Sequence, residues 1–133
     1  MEAAGEATRV VVSDGHSYEH LTESISLVKV SGELYLRTAV SLRKVLVDLA
    51  NQGRCFLVVD MTAVDNIDSV GVGVLIGALK RVRAREGALV LVAPSDSVRK
   101  HLWINGLTSR IPVFNTVYAA VEFLGRKEPR AHA

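Results

Sequence analysis

The sequence contains few of the features that mark exported proteins, proteins with a structural metal site or nucleic-acid-binding proteins. Its one cysteine, Cys55, excludes an intramolecular disulfide framework and a cysteine-based zinc site. The longest apolar stretch, Val70 to Leu79, is about half of the roughly 20 residues that cross a bilayer. The N-terminus carries acids where a signal peptide carries bases. With 16 basic and 14 acidic side chains, the net charge of +2 is too small to indicate nucleic-acid binding. These absences predict a cytoplasmic protein with no membrane segment and no direct contact with nucleic acid.

The residues that are present are those of one folded domain. The chain has 133 residues, of which 49% are hydrophobic and 23% are charged. A chain of this length buries roughly 70% of its unfolded surface, so it needs no metal or disulfide to stabilise the fold. Small, polar and charged residues dominate both ends. We therefore predict a flexible lead-in over residues 1–14, in which the apolar Val10–Val12 can form a short strand, a domain over 15–125 and a frayed tail over 126–133.

Hydrophobic periodicity predicts alternating strands and helices. Apolar runs at Cys55–Asp60 and Ala88–Ala93 are typical of strands buried on both faces. A helix is predicted from Thr38 to Asn51, with an apolar face made by Val40, Leu42, Val45, Leu46 and Leu49. The other predicted elements are two extended segments between His16 and Gly32, a loop from Met61 to Asp68, a helix from Val70 to Glu86, a helix after Pro94-Ser95, an edge strand at Ile111–Phe114 and a last helix capped by Asn115 or Thr116.

The resulting order is β-β-α-β-α-β-α-β-α. Strands that alternate with helices are joined by right-handed crossovers and form a largely parallel sheet, while the leading hairpin adds an antiparallel edge. The sequence therefore predicts an α/β domain with a mostly parallel mixed sheet of four to five strands and about four helices.

The junction that leads into the helix after Asp68 is the most unusual in the chain. Ligands and partners of such sheets gather at the carboxyl ends of the strands. Here Ser69 stands at the start of a helix that contains Gly71, Gly73 and Gly77. Each glycine costs a helix up to about 1 kcal/mol against alanine. Either the helix packs closely on the sheet, or small residues let another protein approach, and both reasons can hold together.

Ser69 itself has two interpretations. Serine is a common N-cap, because its hydroxyl accepts a hydrogen bond from an early backbone amide of the helix. The second interpretation is a phosphorylation site, since free amides and the positive end of the helix dipole stabilise a phosphate dianion.

The segment Asp68-Ser69-Val70-Gly71-Val72-Gly73-Val74-Leu75 resembles the signature of the STAS domain, as found in anti-sigma factor antagonists. Further matches run from about Ile25 to Leu124 in the family's order and spacing. They are Gly32-Glu33-Leu34, Leu57-Val58-Val59-Asp60-Met61, Gly87 with the strand after it, and Gly106-Leu107 ahead of Ile111-Pro112-Val113-Phe114.

The resemblance implies a single STAS domain that acts in partner switching and is not an enzyme. Such an antagonist binds an anti-sigma factor that is also a serine kinase of the GHKL class, and so releases a sigma factor. The kinase inactivates the antagonist by phosphorylating the serine after the motif aspartate, here Ser69, and a PP2C-type phosphatase reverses this. No cofactor or metal is implied. The partner-binding residues carried over or placed beside the motif are Glu33, Tyr35, Thr62, Asn66, Asp68, Ser69, Val70, Gly71, Val72 and Gly73.

Two positions depart from the family pattern. Tyr35 follows Gly32-Glu33-Leu34 where many members have aspartate, and Val70 stands where a second hydroxyl residue is common. The Tyr35 departure motivates an alternative, a scaffold module that assembles with other STAS or sensor proteins without phosphorylation. A small-molecule or nucleotide-binding domain and a weak homodimer also stay open. The acids Asp60, Asp65 and Asp68 share one predicted loop, and such acids more often cap turns than bind a cation.

Overall fold

Six strands and four α-helices make up the described part of the chain. The computed structural model describes residues 10–11, 15–93 and 95–128. The strands are β1 (Val10–Val11), β2 (Ser17–His20), β3 (Ile25–Leu34), β4 (Phe56–Ile67), β5 (Ala88–Val92) and β6 (Val113–Phe114). The helices are α1 (Leu36–Asn51), α2 (Ser69–Arg83), α3 (Asp96–Ile104) and α4 (Val117–Gly125), with a 3₁₀ turn at Leu107–Ser109.

The strands form one mixed sheet in the order β1-β2-β3-β4-β5-β6. The β1/β2 and β2/β3 pairs are antiparallel, and the three pairs from β3 to β6 are parallel. The predicted α/β class and the order of elements from β2 to α4 are confirmed. The short pair Val10–Val11 adds a sixth strand at the edge, so the sheet is wider than the four to five strands predicted. The other residues of the predicted lead-in, apart from 10–11, lie outside the described residues.

The two faces of the sheet are covered by different helices. Leu57 and Val59 of β4 face a core that contains side chains of α1, α2 and α3. Phe56 and Val58, which alternate with them, face a smaller core that contains Ala120 and Leu124 of α4. Burial on both faces explains why β4 and β5 begin as continuous apolar runs.

Both central strands extend further than the sequence predicts. The predicted loop from Met61 to Asp68 is wrong, because β4 continues to Ile67 and pairs with β3 as far as Leu34. Gly32, predicted to end β3, lies inside it with a φ of +80° next to a shift in register. A bulge of this kind bends the strand and keeps the pairing.

The boundaries of two helices also differ from the prediction. Helix α1 begins at Leu36, ahead of the predicted Thr38, because the Thr38 hydroxyl accepts from the Tyr35 amide at 3.1 Å and closes the first turn. Helix α2 ends at Arg83, short of the predicted Glu86, and Glu86 takes a φ of +61° where the chain turns toward β5.

A polar cluster ties the chain together at the amino ends of the parallel strands. Arg54 donates to the Ser26 hydroxyl at 3.0 Å and to the Thr22 carbonyl at 2.6 Å. Glu128 accepts from the hydroxyls of Thr22, at 2.6 Å, and of Ser24. The sequence assigns Glu128 to the tail, but these contacts make it part of the folded unit.

His20, at the edge of this cluster, is expected to make stability fall in mild acid. Desolvation and the nearby Arg54 guanidinium lower the pKa of His20 from its ordinary value of 6.5. Below about pH 6.5 the unfolded chain therefore binds a proton that the folded chain binds less well, so stability is lost as pH falls toward the lowered pKa. Urea denaturation of His20→Gln between about pH 7 and about pH 5 should show a shallower loss than wild type. An equal loss would contradict the assignment to His20.

Candidate functional site

Two strand-to-helix junctions meet at the carboxyl ends of β3 and β4. Glu33 lies opposite Asn66 and Leu34 lies opposite Ile67 in the sheet. The Asp68 amide donates to the Leu34 carbonyl at 3.4 Å, at the limit of a hydrogen bond. The residues that lead into α1 and those that lead into α2 therefore form one continuous surface, as the carboxyl-end rule predicts.

Asp68, and not Ser69, caps helix α2. The Asp68 backbone is extended, with φ −110° and ψ −173°, and its carboxylate accepts from the amides of Val70 at 3.0 Å and Gly71 at 3.1 Å. The N-cap interpretation of Ser69 is therefore wrong. Ser69 is the first residue of the helix and is exposed. Its hydroxyl makes no hydrogen bond among the residues that the structure describes, so it is available for chemistry.

Removing the cap should cost stability without removing the serine. We expect Asp68→Ala to lower the free energy of unfolding by about 1 kcal/mol, the usual value of an N-cap. Asp68→Asn keeps an oxygen that can accept from Val70 and Gly71, and should lose less than half as much. Urea denaturation of both variants checks this, and equal losses would mean that the carboxylate stabilises α2 mainly by its charge.

Exposed apolar side chains lie on the two helices whose first turns meet at this junction. Val70 follows it in α2 and is 37% exposed, and Tyr35 at the start of α1 is 38% exposed. Leu36 and Val40 of α1 are 65% and 56% exposed. We call Tyr35, Leu36, Val40 and Val70 the apolar patch. Contiguous apolar side chains at a surface mark interaction sites.

Leu36 and Val40 are residues that sequence reasoning missed. Val40 was predicted to lie on the buried face of α1, but Ala39 is fully buried in its place. A helical period of 3.6 residues places both position 39 and position 40 close to the buried face that contains Leu42 and Val45, so it does not predict which of the two is buried. Only the packing of α1 against the sheet does so.

The three glycines of α2 have different surroundings. A Cβ on Gly71 would lie 2.8 Å from both the Leu34 carbonyl oxygen and the Ile67 side chain, so Gly71 is required for packing. Beyond the adjacent residues and the backbone of α2 itself, no atom lies within 4 Å of a Cβ built on Gly73 or Gly77. These two line an open groove of about 280 Å³ between α1 and α2, together with Val70.

Two of the predicted contact residues are not on the exposed surface. Val72 is 6% exposed and belongs to the core under α1, α2 and α3, and Gly71 is buried. Thr62 lies on β4, five residues before Ile67, which is roughly 16 Å along an extended strand. Its hydroxyl and amide donate to the Asp60 carboxylate, at 2.5 and 3.0 Å. The junctions thus bring together Glu33, Tyr35, Asn66, Asp68, Ser69 and Val70, whereas Gly73 lines the groove.

Two aspartates on β4 and at the start of α2 are engaged within the chain. Asp60 holds Thr62 and Asp68 caps α2. In the ranges that the structure describes, no three His, Cys, Asp or Glu side chains come together in a way that could hold a metal ion. None of the described helices is long and apolar enough to span a membrane. Fold and site define an α/β domain that presents a serine and an apolar patch at one edge of its sheet.

The family follows from comparison with known proteins. A model of the STAS domain matches residues 20–120. An anti-sigma-B factor antagonist of Listeria monocytogenes is 35% identical over 86 residues, which is 65% of this chain and 75% of that protein. One of Staphylococcus aureus is 32% identical over 80 residues, 60% of this chain and 74% of that protein. The chain belongs to the STAS domain family, in the branch of the anti-sigma factor antagonists.

Solved structures show the same fold. An anti-sigma factor antagonist of Mycobacterium paratuberculosis superposes with a TM-score of 0.68 at 24% identity, covering 94% of this chain and 99% of that one. The anti-sigma factor antagonist SpoIIAA in its unphosphorylated form has a TM-score of 0.67 at 20% identity, covering 84% of this chain and 97% of that one. At these identities the likeness concerns the fold.

Proposed function

We propose that this chain is a cytoplasmic, non-catalytic antagonist of an anti-sigma factor, switched off by phosphorylation of Ser69. The partner would be an anti-sigma factor that is also a GHKL-type serine kinase, and a PP2C-type phosphatase would restore the active form. The observation that carries the proposal is the exposed, uncommitted hydroxyl of Ser69 beside the apolar patch. Relatives named anti-sigma-B factor antagonists support the partner, and the similarly folded SpoIIAA has also been solved in a phosphorylated form.

The physics of the site explains how a phosphate would act. At the first position of α2, the helix dipole stabilises a phosphoserine that carries about −1.5 to −2 charges. The adjacent Asp68 carboxylate already accepts from the amides of Val70 and Gly71, so a phosphate on Ser69 would add its charge beside an existing carboxylate. A partner that covers the apolar patch would have to strip water from this charge. Phosphorylation would therefore weaken docking while leaving the fold intact.

The test is the intact mass of the protein after incubation with ATP and extract from the source organism. Wild type should gain one phosphate and Ser69→Ala none. Ser97→Ala is a matched control, because Asp96-Ser97-Val98 repeats the motif triplet in the first turn of α3 and Ser97 is exposed. Ser97→Ala should be phosphorylated like wild type. A phosphate gained by Ser69→Ala would show that a residue other than Ser69 is the acceptor.

The exposure of Tyr35 favours a second candidate, a scaffold that is not phosphorylated. Tyr35 lies in the apolar patch at the position where the family resemblance has aspartate, and an exposed tyrosine is a common anchor in protein interfaces. This candidate predicts no added mass, in an extract shown to phosphorylate another antagonist. It also predicts that other STAS proteins co-purify whether residue 69 is serine or alanine.

A further inference from the structure

A second cavity lies at the opposite edge of the sheet from Ser69. Its volume is about 260 Å³, and it opens between the amino ends of β5 and β6, the last turn of α2 and the end of α4. Because Ser69 and Arg83 are the two ends of α2, the length of that helix, roughly 22 Å, separates the cavity from the proposed phosphorylation site. We call it the amino-end cavity.

Three cations converge on the amino-end cavity. Arg83, Arg110 and Lys127 line it, and no acidic side chain is among its described lining residues. Arg83 donates to the backbone carbonyl of Arg110 at 3.3 Å, which holds the Arg83 guanidinium at the segment that carries Arg110. The Lys127 ammonium lies over the ring of Phe123, 5.3 Å from its centre. A group of like charges around one concavity raises the local concentration of anions.

A backbone amide adds a further donor. The amides of Leu91 and Ala93 donate toward β6, to the carbonyls of Pro112 and Phe114, each at 3.0 Å. The Ala88 amide donates to the other side, toward β4. Since successive residues of a strand alternate, the Leu89 amide points to the β6 side, below the point where β6 begins. Leu89 lines the cavity, and β6 pairs with β5 from Leu91 onward, so no residue of β6 lies opposite the Leu89 amide.

Helix dipoles do not explain all of these cations. Basic side chains commonly lie at the carboxyl ends of helices, where they complement the negative end of the dipole. That accounts for Arg83 in the last turn of α2 and for Lys127 just after α4. The helix dipoles do not account for Arg110, which follows the 3₁₀ turn. The Leu89 amide is a further donor that is independent of these dipoles.

We propose that the amino-end cavity binds a small organic anion, a phosphate or carboxylate attached to an apolar ring or chain. The oxyanion would accept from Arg83, Arg110, Lys127 and the Leu89 amide. The apolar part would contact Leu79 and the ring of Phe123, which also line the cavity. The volume lies just below the range of about 300–1,000 Å³ found for drug-sized ligands, so it admits a ligand of one ring.

Phenyl phosphate is a suitable probe, because it combines one ring with one phosphate. We expect its titration, followed by ¹⁵N–¹H correlation spectra of the full chain, to shift the amide signals of Gly87 and Leu89 saturably. Inorganic phosphate and phenol, which each carry half of the proposed chemistry, should bind at least about tenfold more weakly. Equal binding of either half would overturn the proposal of an organic anion, and no saturable shift with any probe would overturn the site.

Matched charge variants locate the site. Arg110→Gln should weaken phenyl phosphate binding about tenfold, the loss of one charge-assisted hydrogen bond. Lys80→Gln removes the same charge from an exposed position on α2 that does not line the cavity, and should bind like wild type. The same spectra report whether each variant is folded. An equal loss in both variants would mean that the probe senses only the net charge.

Discussion

Ser69→Glu is expected to weaken binding to the anti-sigma factor by about tenfold to a hundredfold, or about 1.4 to 2.7 kcal/mol. Ser69→Ala should bind as tightly as unphosphorylated wild type, because the Ser69 hydroxyl makes no hydrogen bond among the described residues and Asp68 caps α2 in its place. The glutamate places a fixed charge next to the apolar patch, and a complex that covers this patch must desolvate it. Titration calorimetry with the purified anti-sigma factor measures the difference.

Ser97→Glu is the control for this experiment. It adds the same charge in the first turn of α3, after the same aspartate-serine order. It should leave the affinity unchanged if the partner covers the carboxyl edge of β3 and β4 and the apolar patch. Phosphoserine at position 69 should weaken binding more than glutamate does, because its charge is larger. If Ser69→Glu bound as tightly as wild type, the electrostatic switch would be wrong.

Gly87→Ala should be the most destabilising single methyl addition among the glycines that the structure describes. A Cβ at this position would overlap the Cys55 carbonyl oxygen and lie 2.7 Å from the Cys55 Cβ. The Gly87 amide donates to Val82 at 2.7 Å, and the next amide donates to the Cys55 carbonyl at 2.9 Å, so the backbone is fixed on both sides. We expect a loss of at least about 3 kcal/mol, a large part of a typical domain's stability.

Gly73→Ala and Gly77→Ala are the matched controls for Gly87→Ala. Both glycines are exposed on α2, and the added methyl group meets no atom within 4 Å beyond the adjacent residues and the helix's own backbone. Each should raise the free energy of unfolding by about 0.5–1 kcal/mol, since alanine is the better helix former. Urea denaturation of the three variants gives the comparison. A loss of stability at Gly73 or Gly77 as large as that at Gly87 would contradict the packing explanation.

The apolar residues of the chain were enough to predict its architecture. The runs at Cys55–Asp60 and Ala88–Ala93 are buried on both faces, which requires helices above and below the sheet. Helical spacing identified α1, and the position of each element in the chain then fixed the order. The carboxyl-end rule correctly brought the Glu33 and Ser69 junctions together.

The local chemistry at the site was less predictable. Asp68 and Ser69 are both good N-caps, and their order alone does not say which one keeps an extended backbone. Residues Thr62 to Asn66 are polar enough for a loop, yet β4 continues through them because β3 offers it a partner. In the sequence, the apolar residues Val64 and Ile67 are what indicates that the strand continues, and both are buried in the structure.

The sequence alone determined the α/β class, the order of elements and the serine at the start of a helix, because each depends on periodicity within a short segment. The tertiary structure decided which glycines pack and which stand open, and it placed Val40 on the surface and Val72 in the core. It also joined Arg54 to the residues around Glu128, and assembled the amino-end cavity from four separate elements. These features depend on contacts between residues far apart in the chain, and no local pattern records which distant backbone or side chain will be near.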